Sequence, residues 1–161
     1  MKIIEPSTPD EFQRYYELRW KILRAPWNQP RGSEQDEREQ SSHHLMVTGD
    51  NHTVIAVGRL HFNTVHDAQI RYMAVADDQQ RKGLGTLLLN ALENRAVELG
   101  AARIVLDARE TALRFYRKNN YKPEGPGHVL FNTITHVCMT KSLDKLPGFP
   151  DVPDHRSKGM S

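Results

Sequence analysis

An apolar run, Tyr72-Met73-Ala74-Val75, leads through a polar stretch at residues 77–82 into Gly83-Leu84-Gly85-Thr86, where a long amphipathic pattern begins. Strand, basic glycine-containing turn and helix follow one another without a break. The first amides of a helix have no partners within it, and the helix dipole makes their surroundings positive. A diphosphate satisfies such amides directly. Gly83 and Gly85 lack a Cβ and let the backbone approach an anion, while Arg81 and Lys82 add charge at the mouth. A dinucleotide fingerprint needs a further glycine where Leu88 stands, and a Walker-type loop needs a Gly-Lys-Ser/Thr run; neither is present. A plain connecting turn would explain a bare Gly-x-Gly. The basic lead-in, the strand before it and the helix after it weigh against that.

The remaining patterns place this loop in a mixed fold. Residues 2–4 read as an edge strand. Thr8-Pro9-Asp10-Glu11 combines a cap, a proline suited to the first helical position and the glutamate of a capping box, and the helix it opens should stop before Pro26. Residues 44–49, 53–62 and 68–75 predict an antiparallel meander, turned by Gly49-Asp50-Asn51-His52 and by residues 63–67. The helix at 83–99 carries Leu84, Leu87, Leu88, Ala91, Leu92, Arg95, Ala96 and Leu99 on one stripe, with Arg95 its only polar member, and Gly100 ends it. A strand at 103–107, a helix at 111–119 and strands at 129–132 and 134–140 complete the expectation. The strand–helix–strand unit requires a parallel pair. Residues 26–42 read as a solvated loop, with a substrate-side lid as the functional alternative, and residues 147–161 as a frayed tail beyond a single domain at 1–146.

Composition narrows the function classes. A chain of 161 residues is about one domain, and 38% hydrophobic with 26% charged residues describes a globular protein. A net charge of +2 gives no argument for nucleic acid. Cys138 is the single cysteine, so no internal disulfide exists, and no run approaches the ~20 apolar residues of a membrane span. The expected location is the cytoplasm. The eight histidines show no metal spacing: His43 and His44 are adjacent, and no cysteine pattern accompanies them. Neither a metal, nor nucleic acid, nor a membrane is expected as a partner.

Taken together these residues resemble the GNAT N-acetyltransferases. Gln80-Arg81-Lys82-Gly83-Leu84-Gly85 matches that family's Gln/Arg-x-x-Gly-x-Gly/Ala loop, and Ala112-Leu113-Arg114-Phe115-Tyr116 followed by Asn120-Tyr121 is similar to its second segment. Residues 44–142 follow its element order. Leu106-Asp107-Ala108-Arg109, and Ile134-Thr135-His136 with Met139, resemble an ElaA-like subgroup. The resemblance implies an α+β fold: one mixed, mostly antiparallel sheet of about seven strands, helices on both faces, and two parallel strands (68–75 and 103–107) splayed at the centre. It implies acetyl-CoA as donor and an amine as acceptor. Backbone at Met73, Ala74 and Val75 would pair with the pantetheine arm. Gln80 and the amides of Arg81, Lys82, Gly83, Leu84, Gly85 and Thr86 would take the pyrophosphate, with Arg109, Phe115 and Tyr116 also at the cofactor. Many relatives carry asparagine at the position of Arg109. Asn120 replaces the usual glycine, and asparagine tolerates the left-handed conformation.

The implied reaction is direct attack of an amine on the thioester carbonyl, polarised by a backbone amide near Val75. Tyr116 stands where the family's thiolate-protonating tyrosine stands, and a phenol with a pKa near ~10 holds its proton at neutral pH; packing of the second helix is its structural reading. Many relatives place a glutamate on the strand before the loop, whereas Gln69-Ile70-Arg71-Tyr72 has no carboxylate. A water chain, Glu34, Glu37, His43, His44, His61 or His136 could serve as base, and His136 is preferred because it lies in the subgroup-like segment. Cys138 has no His or Asp arrangement around it and reads as a core residue. Arg114, Arg117 and Lys118 read as a solvated face or as partners of the cofactor's ribose phosphate.

Two other functions compete. A non-catalytic acyl-CoA-binding sensor accounts for the missing strand carboxylate; a nucleotide-binding protein fails on the loop comparisons. Glu34, Asp36, Glu37 and Glu39 would suit a cationic acceptor or simply a solvated loop. The exposed C-terminal strands could pair two copies into a homodimer.

Overall fold

A computed structural model describes residues 1–143; the expected tail at 147–161 lies outside them. In chain order the elements are β1 (Lys2–Ile4), α1 (Pro9–Leu23), β2 (His43–Thr48), β3 (Val54–Phe62), β4 (Asp67–Val75), α2 (Leu84–Glu98), β5 (Arg103–Arg109), α3 (Leu113–Lys118), β6 (Lys122–Leu130) and β7 (Ile134–Ser142). The strands form one seven-stranded sheet in the order β1-β2-β3-β4-β5-β7-β6. All neighbours are antiparallel except β4 and β5. This is the expected α+β architecture. Among the described residues no helix is long and apolar enough to cross a membrane.

Alternation along the strands decides which helix covers which face. On β2, Leu45 and Val47 pack with α2, while Met46 between them packs with Tyr15 and Leu18 of α1. The capping box of α1 forms as its sequence requires: Thr8 accepts from the Glu11 amide and Glu11 accepts from the Thr8 amide. The buried face of α2 differs from the expected stripe. Leu89 and Glu93 are buried, whereas Leu87 and Leu99 are 39% and 44% exposed. Helical spacing leaves the rotation of a stripe open by one position. Here a polar cluster fixes it: Glu93 accepts from Tyr121 at 2.8 Å and from Lys141 at 3.1 Å, while Arg95 lies outside beside Glu5 and Glu98.

The central feature is a parting of β4 from β5. They pair only at Asp67–Arg103, Ala68–Ile104 and Gln69–Val105. Arg71 pairs with Arg59 and Ala74 with Val57, so Tyr72 and Met73 together oppose Gly58, and the extra residue forms a bulge. Tyr72 takes φ +59° there. A Cβ on Gly58 would stand 2.8 Å from Leu92 Cδ1 and 2.9 Å from Met73 Sδ, so any side chain opposite the bulge would push those two aside.

The connection at 26–42 is not the solvated loop its polarity suggests. Asp36 and Glu39 turn inward against Arg59, whose side chain is fully buried, at 2.6 Å each. Arg19 holds Glu39 at 2.9 Å and Arg71 holds Asp36 at 3.0 Å. The guanidiniums of Arg19, Arg59 and Arg71 lie 4.3, 4.9 and 4.7 Å from the Tyr72 ring centre. Three cations and a bulged aromatic therefore replace the apolar contacts that usually bind a loop to a sheet.

Arg59→Met should lower unfolding free energy by about 3 kcal/mol, because two largely buried carboxylates each lose a partner; a urea midpoint equal to that of the parent would contradict it. Burial raises the Asp36 pKa, but bonds from Arg59 and the Arg38 amide, with Arg71 beside it, hold it well below the usual range. A depressed carboxyl stabilises above its unfolded pKa near ~4, and this support drains away as pH falls further. Acid melting curves should show that loss, reduced in Asp36→Asn.

Candidate functional site

Between β4 and α2 the backbone is bent into a cradle. Arg81 and Gly83 take φ +66° and +80°, and Gly83 caps α2 without any side-chain acceptor. Among the described residues, no amide from 81 to 86 donates to a protein acceptor; the first that does is Leu87, to the Gly83 carbonyl at 3.0 Å. The Lys82 ammonium lies 3.5 Å from Gln79, and Gln80 reaches the Val75 carbonyl at 3.3 Å. Phe115 braces the cradle from below, since a Cβ on Gly85 would meet its ring at 3.2 Å. The result is a row of unsatisfied donors with positive side chains at its rim, the surroundings an oxyanion needs.

Where β4 and β5 diverge, a cavity of about 130 Å³ opens. Tyr72 and Met73 form one wall and Leu106, Asp107 and Arg109 the other. Tyr116 of α3, His128 and His136 of the β6–β7 hairpin, and Arg24 after α1 complete it. On β4 the edge facing the gap is free of β5 from Ile70 onward.

Tyr116 is 8% exposed, and its hydroxyl makes no hydrogen bond among the described residues. Its ring meets Phe115 and Tyr121 edge-on at 5.0 and 5.7 Å. Burial raises its pKa to about 12, so the phenol keeps its proton throughout the neutral range.

The hairpin brings together two imidazoles. His136 Nδ1 is 3.0 Å from the His128 carbonyl, an acceptor only, so Nδ1 carries the proton and Nε2 is left with a lone pair. Burial first, and His128 next, lower the His136 pKa. His128 stacks on His136 at 4.1 Å between centroids, and its own Nδ1 donates to Asp107 at 2.9 Å.

Of the expected site residues, Met73, Arg109, Tyr116 and His136 line the cavity, while Gln80 to Thr86 form the cradle with Phe115 behind them. The other candidate bases lie elsewhere. His44 is clamped between Tyr15 at 2.9 Å and the Glu39 carbonyl at 2.7 Å. His61 is held by Asn63 and Arg59, with burial foremost pushing its pKa to about 4. His43 packs on Phe62, Glu34 is buried against the Gly32 amide, and Glu37 is exposed. Cys138 is on β7 with burial raising its thiol pKa. Arg114, Arg117 and Lys118 are exposed, and Asn120 takes φ +72°. Asp107, His128 and Arg24 join the site without having been expected. The strand carrying His128 starts at Lys122 and contains Pro123, Gly125, Pro126 and Gly127, a composition that conceals a strand.

The model of the acetyltransferase (GNAT) family matches residues 12–121. The uncharacterized N-acetyltransferase YjcF of Bacillus subtilis is 26% identical over 141 residues, covering 88% of this chain and 99% of its own. Escherichia coli ElaA superposes with a TM-score of 0.75 at 13% identity, over 88% of this chain and 99% of that one. An aminoglycoside 6'-N-acetyltransferase solved in complex with coenzyme A gives 0.75 at 16% identity, over 91% and 99%. At these identities the two structures speak for the fold.

In an NMR pH titration the His136 ring should titrate below the ordinary ~6.5 and His61 near ~4. At pH 7.5 long-range nitrogen–proton correlations should show His136 as the Nδ1–H tautomer. An Nε2–H tautomer, or a midpoint above 6.5, would contradict the geometry.

Proposed function

The chain belongs to the acetyltransferase (GNAT) family, and from that membership we propose that it transfers an acetyl group from acetyl-CoA to a primary amine by direct attack. The observation that carries this is the run of amides at residues 81–86 that have no partner among the described residues, opening beside the gap between β4 and β5. Donors that lack partners fit a diphosphate, and a sheet edge free of its neighbour fits an extended amide-bearing arm. When bound, acetyl-CoA supplies an activated acyl group on sulfur.

The protein's own residues would then bind, orient and move protons. The cradle of Arg81 to Thr86 fixes the diphosphate, with Gln80 and Lys82 at its rim. Backbone at Met73, Ala74 and Val75 aligns the arm, and a free amide on this edge polarises the carbonyl. His136 Nε2 accepts a proton from the acceptor nitrogen. Tyr116 donates first a hydrogen bond and then its proton to the departing sulfur. The balance is complete: a C–N bond forms, a C–S bond breaks, one proton leaves the amine and one reaches the thiolate. His136 supplies the base that β4 lacks, which favours an enzyme over a sensor. The stacked His128, fixed by Asp107, holds the His136 ring through its carbonyl.

Thiol release from acetyl-CoA with an amine panel tests this reading. Tyr116→Phe should reduce kcat by about 10²-fold, with the KM for acetyl-CoA changed by less than about twofold. His136 acts as its neutral form, so kcat/KM should fall as pH drops through its lowered pKa, and His136→Gln should abolish that limb. Full turnover in Tyr116→Phe removes that residue's role. An unaltered acid limb in His136→Gln removes the histidine's.

A further inference from the structure

Two of the guanidiniums lining the cavity form no ion pair among the described residues. Of the arginines around Tyr72, Arg19, Arg59 and Arg71 each have a carboxylate partner. Arg24 and Arg109 have none among the described residues. Arg24 is 6% exposed and gives Nε to the Ser33 carbonyl at 3.0 Å and Nη1 to the Leu23 carbonyl at 2.9 Å, leaving Nη2 uncommitted. The Arg109 guanidinium makes no hydrogen bond among the described residues and lies 4.6 Å over the Trp27 ring. Both line the cavity. The lining carboxylate, Asp107, is engaged by His128. Burial lowers the pKa of both arginines, and Arg24 further lowers that of Arg109. Two half-committed cations facing one small space strain each other and call for an anion.

We propose that the acceptor is a primary amine bearing a carboxylate, an amino acid or a close analogue, whose carboxylate is received by Arg24 and Arg109. A planar guanidinium matches a carboxylate through paired hydrogen bonds. The remaining walls, Leu23, Ile70, Leu106 and Leu130, suit an apolar body between carboxylate and amine. The four loop carboxylates leave no room for a cationic acceptor here: Asp36 and Glu39 are neutralised by arginines, and neither they nor Glu34 and Glu37 line the cavity. This rests on the acetyl-transfer reading above. It gives Arg109 an acceptor-side role in place of the pantetheine contact expected at its position.

The experiment compares leucine, leucinamide and 3-methylbutylamine, and the corresponding phenylalanine set, as acceptors with acetyl-CoA. The carboxylate member of each set should exceed its amide by about tenfold or more in kcat/KM. Arg109→Gln should bring the two close to parity by raising the acceptor KM while the KM for acetyl-CoA stays put. Arg109→Lys should recover part of the preference. Melting temperatures of the variants establish that they fold. In parallel, the side-chain Nε–H signal of Arg109 is followed by NMR in the CoA-loaded protein, where leucine should shift it and leucinamide should not. Amides and decarboxylated amines used as well as the acids would overturn the proposal. So would a raised acetyl-CoA KM in Arg109→Gln, or an Arg109 signal indifferent to leucine. Absence of CoA binding altogether would instead defeat the acetyl-transfer reading.

Discussion

Three backbone pairs hold β4 to β5 at one end, and beyond Gln69 the strands go separate ways. The cause is one extra residue on β4, Tyr72 or Met73, accommodated because Gly58 opposite has no side chain to collide with Leu92 and Met73. A bulge adds twist to the strand that contains it. Here the added twist frees the β4 edge, opens the cavity and aims the end of the strand at the 81–86 cradle. Tyr15, which donates to the Gly58 carbonyl at 3.1 Å, ties α1 to the same point.

Electrostatics then divides the site into zones. Around Tyr72 the loop at 26–42 lends Asp36 and Glu39 to buried arginines, so the charge there is spent internally. In the cavity proper, Arg24 and Arg109 remain available. At the cradle the positive potential comes from backbone amides and a helix terminus rather than from buried side chains, so that end stays open to water. The stacked His128 and His136 line the same cavity, with the orientation of each ring fixed by an acceptor at Nδ1. Each zone uses a different physical means of presenting charge, suited to how wet it is.

Local patterns carried much of this in the sequence. The capping box at Thr8, the Gly-x-Gly cradle, the meander and the left-handed Asn120 follow from short-range rules, and the structure contains them. What depends on distant partners was hidden. The rotation of α2 is set by Glu93 meeting Tyr121 and Lys141, residues far along the chain. The loop at 26–42 reads as solvated because its carboxylates are visible while their buried partners, Arg19 and Arg59, look like ordinary surface cations. His128 was missed because its strand is rich in proline and glycine. Arg24 was missed because nothing marks an arginine after a helix as cavity-lining until β4 and β5 are seen to part.

The central claim is that the donors at 81–86 hold the diphosphate of the acyl carrier. Backbone amide NMR during a titration with CoA tests it most directly. Saturable shifts concentrated at residues 81–86 and along Met73 to Val75, abolished by moving to dephosphorylated pantetheine at the first group but retained at the second, are what the geometry requires. Unmoved amides in the cradle, with CoA binding elsewhere or not at all, would contradict it.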